Sequence, residues 1–468
     1  MNKQRTLWFL LIAALLIRLL SLGFYPLMDT TESRYGEMAR MMVETGNWLT
    51  PLFDYGVPFW GKPPLFTWMS AASVELFGLS EFTLRLPHWL AGVIVVAGAA
   101  WFAKKNGYNP LVAAVVLSTT LVFSISAGAV MTDMALTLGL ALAMIGFYQC
   151  WRGETLWGYV GFIGLAIGLL AKGPVAIVLF GLAVFPWMVI QHGLIGAFVE
   201  LWRRFPLIKG TLLMLAIALP WYIMAERATP GFIDYFIVGE HYKRFVEPGW
   251  TGDLYGSGHE EPKGKIWLFW LLAVLPWSLI LPVLMLVRAK FGLEQAKQNH
   301  GFTSFAIWWA LSPLILFTVS SNILPTYVLP GTPAIGLLIA IFWKNKDTIW
   351  LTIAALIVPV ALIAATYMLS TGKIADSSDK HLILSLDPEV KIFYVYPRSY
   401  SGQYYSNGQA KVLRTEEQLE GLDQFYLITF KDRMTHDFPR YQEQFDCSDV
   451  IAESHNRGAI LCKVKPQQ

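Results

Sequence analysis

Long apolar runs separated by short polar segments dominate the chain. A membrane-crossing helix needs about 20 mostly apolar residues. Runs of that kind lie at 7–27, 83–103, 110–130, 134–151, 156–171, 174–192, 210–226, 266–288, 303–320, 326–343 and 348–369. They predict about eleven membrane helices, with only Lys172-Gly173-Pro174 dividing the stretch 156–192. After residue 370 the pattern changes. Short β-like runs at 391–396, 424–430, 449–453 and 459–464, with a helix near 415–421, predict a small α/β domain over 371–468. The expected fold class is a polytopic α-helical membrane protein, its membrane domain spanning 1–370, with a small C-terminal α/β domain.

The run 7–22 is too long for a signal-peptide core of about 7–15 residues, and no small-residue cleavage site follows, so it is expected to stay as a first helix with its N-terminus in the cytoplasm. Loop charges then sort by side. Lys104, Lys105, Arg152, Arg203, Arg204, Lys209, Arg288, Lys290, Lys297, Lys344 and Lys346 fall on the cytoplasmic face, as the positive-inside bias requires. Asp29, Glu32, Arg34, Lys62, Asp133, Lys172, Glu240, His241, Arg244, His259, Glu260 and Glu261 fall on the outer face. An odd number of spans places the C-terminal domain outside as well. Two outer loops are long, 28–82 and 227–265. Within the first, residues 33–45 have helical spacing of Tyr35, Met38, Ala39, Met42 and Val43, which predicts a helix lying on the membrane surface. A second helix is expected at 65–77. In the other loop, Pro248-Gly249, Thr251-Gly252 and Tyr255-Gly256-Ser257-Gly258 predict turns suited to a lid.

Composition agrees with this picture. Of 468 residues, 55% are hydrophobic and 15% are Asp, Glu, Lys or Arg, against about 25% charged in soluble domains. The net charge of +3 is too small to argue for nucleic acid. Cys150 closes a predicted span. Cys447 and Cys462 pair if their domain faces an oxidising compartment and are two separate thiols otherwise. No Walker A loop, GxSxG, HExxH or CxxC is present, which removes support for ATP-driven transport and zincin proteolysis.

Ionisable groups at a bilayer boundary are costly to hold, so the outer-face clusters are the candidate chemistry. Asp29 and Glu32 read either as a carboxylate taking the proton of an acceptor hydroxyl or as acids at a helix N-terminus. Lys62, fixed by Pro63 and Pro64, reads as a point charge for a lipid phosphate or as a side chain snorkelling to headgroups. In Glu240-His241-Tyr242-Lys243-Arg244-Phe245, Arg244 suits a two-point phosphate clamp and His241 a metal or an acid; the alternative is a polar loop among headgroups. Asp133 and Lys172 are lone charges at span ends, either supporting the site or marking the interface. Pro174 suits a helix start.

Glu32-Ser33-Arg34-Tyr35, Met42, Gly46, Trp48, Lys62-Pro63 and Trp68 resemble the first outer loop of the bacterial aminoarabinose transferases of lipid A. Those enzymes stand with the protein O-mannosyltransferases among the polyprenyl-phosphate-dependent membrane glycosyltransferases of the GT-C fold. The similarity continues in order through Asp133, Ala171-Lys172-Gly173, Leu219-Pro220-Trp221, Glu240 to Phe245 and Leu275-Pro276-Trp277, covering about 1–290. It implies a polyprenyl-phosphate-linked sugar donor and transfer, with inversion, to a lipid, glycan or protein acceptor at the periplasmic face of a bacterial inner membrane. It implies a first-loop acid as base, Lys62 and Arg244 with Arg34 and Tyr35 around the donor phosphate, and Asp133, Lys172 and Glu240 in support. His241 matches a residue near a divalent metal.

Two departures matter. Strict register puts Thr31 where those enzymes carry an acid, so Asp29 is the first candidate base and Glu32 the second. Gly61 stands where they carry an acid before the lysine, which weakens a metal site. The part after about 370 is shorter than theirs, so lipid A and aminoarabinose are not carried over. The rival class is a secondary transporter or lipid flippase, which places charges at the bilayer midplane on broken helices; here the charges gather at one interface, Arg18 excepted. A scaffold or sensor is a third class, and it leaves Lys62 and Arg244 unexplained.

Overall fold

The computed structural model describes residues 3–247, 250–256, 259–290, 294, 299–344, 347–371 and 377–463. Lys297, Lys346, Val464 and the turn signals at Pro248-Gly249 and Ser257-Gly258 lie outside them. Among the described residues, seven helices are long and apolar enough to cross a membrane: Lys3–Ser21, Glu81–Lys105, Thr132–Trp151, Val175–Arg204, Leu207–Ala228, Pro325–Phe342 and Thr348–Ser370. An eighth candidate is the pair Ile266–Ala273 and Trp277–Val287, bent by 96°. The expected count of about eleven is therefore not reached on length. Leu156–Lys172 and Phe302–Thr318 are apolar but shorter. The run 110–130 breaks into Pro110–Ser118 and Leu121–Ser126, where the hydroxyls of Thr119 and Thr120 bond back to the carbonyls of Val115 and Val116 at 2.6 and 2.8 Å. Such back-bonding competes with continuation of the helix.

Helices Thr132–Trp151 and Leu156–Lys172 pack through glycines. A Cβ on Gly146 would lie 2.5 Å from Gly161 N, and one on Gly139 would lie 2.6 Å from Gly164 O. Small residues allow this backbone approach, which is how membrane helices gain contact without a hydrophobic driving force. Gly146→Val is accordingly expected to lower the melting temperature of the detergent-purified protein, at a cost of about 1–3 kcal/mol for overpacking. Gly181→Val, with no atom within 4 Å of its added Cβ, serves as the neutral control. Equal melting of the two variants would remove the glycine seam from the account.

At one end of the bundle lie helices Thr31–Thr45 and Leu65–Phe77. The first does not lie open on a membrane surface. Tyr35, Met38, Ala39, Met41 and Met42 are buried, and so are Glu32, Ser33, Glu37 and Arg40 on its polar side. Its apolar face packs against Phe66, Ala71 and Val74 of helix Leu65–Phe77, and helix Tyr400–Tyr405 of the C-terminal domain covers it as well. The buried charges are internally satisfied: Arg40 donates to both oxygens of Glu37 at 2.7 Å and to Glu44 at 2.9 Å.

The C-terminal domain is built on a mixed sheet. Its strands are β3 (Lys391–Tyr394), β4 (Lys411–Val412), β5 (Gln424–Phe430), β6 (Asp446–Cys447), β7 (Ala452–Glu453) and β8 (Arg457–Lys463), following a β1–β2 hairpin (Leu52–Asp54, Val57–Pro58) in the first long loop. The order is β4-β3-β5-β8-β6, with β7 also on β8. β3 runs parallel to β4 and β5; β8 runs antiparallel to β5, β6 and β7. Alternation divides β5, with Tyr426 and Ile428 in one core and Phe425 and Leu427 in the other. The expected helix near 415–421 is a single 3-10 turn, Glu416–Leu419, and the run 449–453 reduces to β7. Helix Met434–Gln444 was not expected. Cys447 and Cys462 sit opposite each other in register and form a disulfide. The domain docks through Arg398 to Asp54 at 3.0 Å, Lys380 to Glu81, and the Tyr405 hydroxyl, which receives Leu27 N at 2.8 Å and donates to Glu81 at 3.0 Å.

Candidate active site

Where the bundle meets these outer elements, two cavities adjoin. One, of about 350 Å³, is walled largely by apolar side chains including Val175, Val178, Phe245 and Phe317. The other, of about 240 Å³, is more polar and includes Thr31, Arg34, Tyr35, Asp253, Tyr255 and Tyr400. Lys62, Lys172, Glu240, Arg244 and Tyr327 belong to both.

Each charge is placed by its local backbone. Lys62 precedes Pro63 and Pro64, immediately before helix Leu65–Phe77, and its ammonium donates to Gly61 O at 2.6 Å and to Glu240 Oε2 at 2.7 Å. Glu240 and His241 lie on a π-helical segment, Asp234–Lys243, continued by Arg244. Arg244 Nη1 reaches the two Glu240 oxygens at 2.9 and 3.0 Å and Asp253 Oδ2 at 3.3 Å. Asp133 starts helix Thr132–Trp151 and Lys172 ends helix Leu156–Lys172, so the glycine seam between these helices brings their side chains to 2.7 Å. Lys172 Nζ also stands 4.4 Å from the Tyr327 ring centroid. Gly173, at φ +85°, lets the chain pass beneath Phe236 and His241; a Cβ there would lie 2.6 Å from the Phe236 ring.

One carboxylate thus serves two cations. Burial pushes the Glu240 pKa upward, but Lys62 and Arg244 outweigh it and hold the group at about 2. The Arg244 pKa is raised: burial acts to lower it, and Glu240 overcomes that effect. For His241, burial pushes the pKa down. Its Nδ1 is 2.8 Å from Phe236 O and its Nε2 is 3.1 Å from Lys172 O.

The two candidate bases lie outside these cavities. Asp29 accepts from Ser33 Oγ at 2.6 Å, from Ser401 N at 3.0 Å and from Ser401 Oγ, and burial pushes its pKa up. It ties the first outer loop to the C-terminal domain. Glu32 points the opposite way, into Arg85, whose Nε and Nη2 donate to its two oxygens at 2.8 Å each. Burial pushes the Glu32 pKa up, but the guanidinium outweighs it and the carboxyl is held low. The neighbours Thr31, Arg34 and Tyr35 face the polar cavity instead. Arg34 donates to Tyr255 O at 2.7 Å, and its guanidinium carbon lies 5.1, 5.9 and 5.7 Å from the Tyr35, Phe59 and Tyr400 ring centroids. Arg34 and Tyr35 therefore share the cavity with the Lys62–Glu240–Arg244 cluster, with Arg34 held in an aromatic bracket.

The residues around His241 do not fit a metal. Both ring nitrogens face backbone carbonyls, and among the described residues no three His, Cys, Asp or Glu side chains gather as a ligand set. Gly61 has the Phe59 ring 2.8 Å from where its Cβ would be, leaving no room for an acid there without rearrangement.

Sequence reasoning did not single out Asp253, Tyr255, Tyr327 or Tyr400 as site residues, although all four line the polar cavity. Tyr327 lay inside an apolar run, yet Pro325 and Pro330 around it mark the 3-10 segment Pro325–Gly331 that turns its ring inward. Tyr400 comes from the appended domain and carries no local signal.

The family model for dolichyl-phosphate-mannose-protein mannosyltransferase matches residues 6–236. The undecaprenyl phosphate-alpha-4-amino-4-deoxy-L-arabinose arabinosyl transferase of Enterobacter sp. (strain 638) is 30% identical over 340 residues, 71% of this chain and 58% of that protein. Its Yersinia enterocolitica counterpart is 31% identical over 340 residues, 70% of this chain and 57% of that one. The chain thus matches a little under three-fifths of the length of these curated relatives. ArnT from Cupriavidus metallidurans superposes with a TM-score of 0.74 in its undecaprenyl phosphate-bound crystal structure, at 18% identity, over 98% of this chain and 99% of that one. Its apo form gives a TM-score of 0.75, at 18% identity, over 98% of each chain. By sequence this chain is aminoarabinose transferase-like and protein O-mannosyltransferase-like, and by fold it is a membrane protein with the GT-C architecture of ArnT.

Proposed function

We propose that this chain transfers a sugar from a polyprenyl-phosphate-linked donor to an acceptor at the periplasmic face of a bacterial inner membrane. The observation that carries the reading is the position of Lys62 and Arg244, both on Glu240, where the apolar groove opens into the polar cavity. A polyprenyl phosphate has that shape: an anionic head on a long hydrocarbon tail. The groove takes the tail. The two cations face the phosphate, and Lys172, fixed by Asp133, stands beside them. As the bond from the anomeric carbon to the phosphate breaks, negative charge builds on the leaving group. Cations fixed in advance at that point stabilise the transition state without reorganising. The acceptor enters from the polar cavity, opposite the leaving phosphate, so a single displacement inverts the anomeric carbon. His241 lies between the carbonyls of Phe236 and Lys172 and, by donating its ring N–H to one of them, positions the turn that carries Glu240 and Arg244.

The names of the relatives support this donor class: the curated transferases are named for an undecaprenyl phosphate-linked sugar, and the Cupriavidus protein binds undecaprenyl phosphate. The disulfide between Cys447 and Cys462 supports an oxidising, extracytoplasmic side for the C-terminal domain and the site beneath it. A transporter places ionisable groups on its broken helix. Here the bent pair Ile266–Ala273 and Trp277–Val287 contains none.

The test is direct. Detergent-purified protein is given polyprenyl-phosphate sugars with and without acceptors (lipid A, glycans, peptides). Free polyprenyl phosphate should appear only when both donor and acceptor are present. Lipid movement across reconstituted vesicles without release of polyprenyl phosphate would replace the enzyme with a flippase.

A further inference from the structure

Displacement at an anomeric carbon by a hydroxyl needs a group that takes the hydroxyl proton. Among the described residues, three carboxylates line the polar cavity: Asp133, Glu240 and Asp253. Asp133 is held on Lys172 at 2.7 Å. Glu240 is held by Lys62 at 2.7 Å and by Arg244 at 2.9 and 3.0 Å, and a carboxylate so stabilised is a poor base. Asp253 is held differently. Its Oδ1 takes the Tyr255 N–H at 2.9 Å, which fixes the orientation of the group. Its Oδ2 is 3.3 Å from Arg244 Nη1, a nitrogen that already serves both oxygens of Glu240. Asp29 is engaged by Ser33 and Ser401, and Glu32 by Arg85, both outside the cavity. Thr31 lines it but carries no acid.

On the reading that this site transfers a sugar from a polyprenyl phosphate, we propose that Asp253 is the proton acceptor for the attacking hydroxyl. The hydroxyl oxygen bonds to the anomeric carbon and its proton passes to Asp253 Oδ2. The bond between that carbon and the phosphate oxygen breaks, its electron pair stays with the phosphate, and polyprenyl phosphate leaves against Lys62 and Arg244. Arg244 couples the two ends of the step. When the donor phosphate draws on its N–H groups, Asp253 gives up its long contact with Arg244, and its Oδ2 is left to meet the acceptor hydroxyl. Proton removal is thereby coupled to the presence of the donor. The loop that carries Asp253 is fastened to the rest of the site by Arg34, through Tyr255 O at 2.7 Å, and by the Tyr255 hydroxyl on Pro58 O at 2.9 Å.

The experiment uses the full-length protein in membranes of a host strain deleted for it. Mass spectrometry of envelope lipids, glycans and proteins identifies the sugar increment that wild type restores, and its rate of formation is the readout. Asp253→Asn should lower that rate by roughly 10²-fold or more, as loss of a general base does. Binding of undecaprenyl phosphate to the purified variant should be kept or tightened, because a competitor for Arg244 has lost its charge. Asp253→Gly should regain part of the rate with added formate, a small carboxylate that fits the vacated space. Wild-type rate in Asp253→Asn overturns the proposal, and so does loss of undecaprenyl phosphate binding in step with rate, which reduces Asp253 to a prop for Arg244. If wild type itself restores no sugar increment, the glycosyl-transfer reading falls, and the inference with it.

Discussion

Lys62→Met is expected to lower sugar transfer by roughly 10³-fold, the upper range for removal of one preorganised group that stabilises developing negative charge. The protein should remain folded. Glu240 retains Arg244 at 2.9 and 3.0 Å, so its carboxylate keeps a counter-charge, and the methionine occupies much of the lysine stem's space. The loss should appear in undecaprenyl phosphate binding as well as in turnover, since Lys62 meets the phosphate in the ground state and in the transition state. The cluster's pH behaviour gives an internal check. Glu240 has a pKa of about 2 in the folded protein against an ordinary 4.5. A group depressed in this way contributes stability above its unfolded value and loses that contribution as the pH falls through the folded one. Acidification from neutrality to about pH 5 should therefore leave the Lys62–Glu240–Arg244 cluster intact, with its loss confined to the interval between 4.5 and about 2. Donor-lipid binding that failed well above 4.5 would contradict the arrangement.

How much of this was legible in the sequence depends on the range of the interaction. Runs of apolar residues depend on local composition, so each predicted run is helical, although Thr119-Thr120 and Val274-Leu275-Pro276 break two of them. The sorting of loop charges depends on a rule about sides of a membrane. It gathered Lys62, Asp133, Lys172, Glu240, His241 and Arg244 onto one face, and the structure brings them around one pair of cavities. Which way a side chain points is not local. Asp29 and Glu32 sit within three residues of each other beside a cavity, and neither faces it, because Ser401 and Arg85 lie 372 and 53 residues away in the chain. The same holds for helix Thr31–Thr45. Its pattern of apolar and polar positions was real, but the partners that cover it are helix Leu65–Phe77 and the C-terminal domain rather than lipid, and hydropathy does not distinguish the two. Tyr400 enters the site through that same docking. A C-terminal domain that reads as an appendage in the sequence is in fact part of the cavity wall.

The second large effect concerns the fold beneath the site. Arg85 is fully buried and is the hub of the turn between the first helix and helix Thr31–Thr45. Besides Glu32, it donates to the carbonyls of Leu22 at 2.7 Å, Tyr25 at 2.8 Å and Pro26 at 2.9 Å. Arg85→Ala leaves a buried carboxylate without a counter-charge and three carbonyls without their donor. Breaking a buried pair from one side costs about 3–5 kcal/mol, and each orphaned carbonyl about 1–3 kcal/mol more when water cannot reach it. Against a total stability of about 5–15 kcal/mol for a typical domain, the variant is expected not to accumulate as folded protein. Size-exclusion profiles and thermal melts in detergent provide the measurement. The partner substitution separates structure from chemistry. Glu32→Gln keeps a side chain able to accept from Arg85 and should melt lower than wild type but fold. If Glu32 serves only to anchor Arg85, transfer per folded molecule stays near the wild-type rate. If it were instead the base that removes the acceptor proton, transfer would fall by roughly 10²-fold or more in molecules that are still folded, and the assignment of that step to Asp253 would have to be withdrawn.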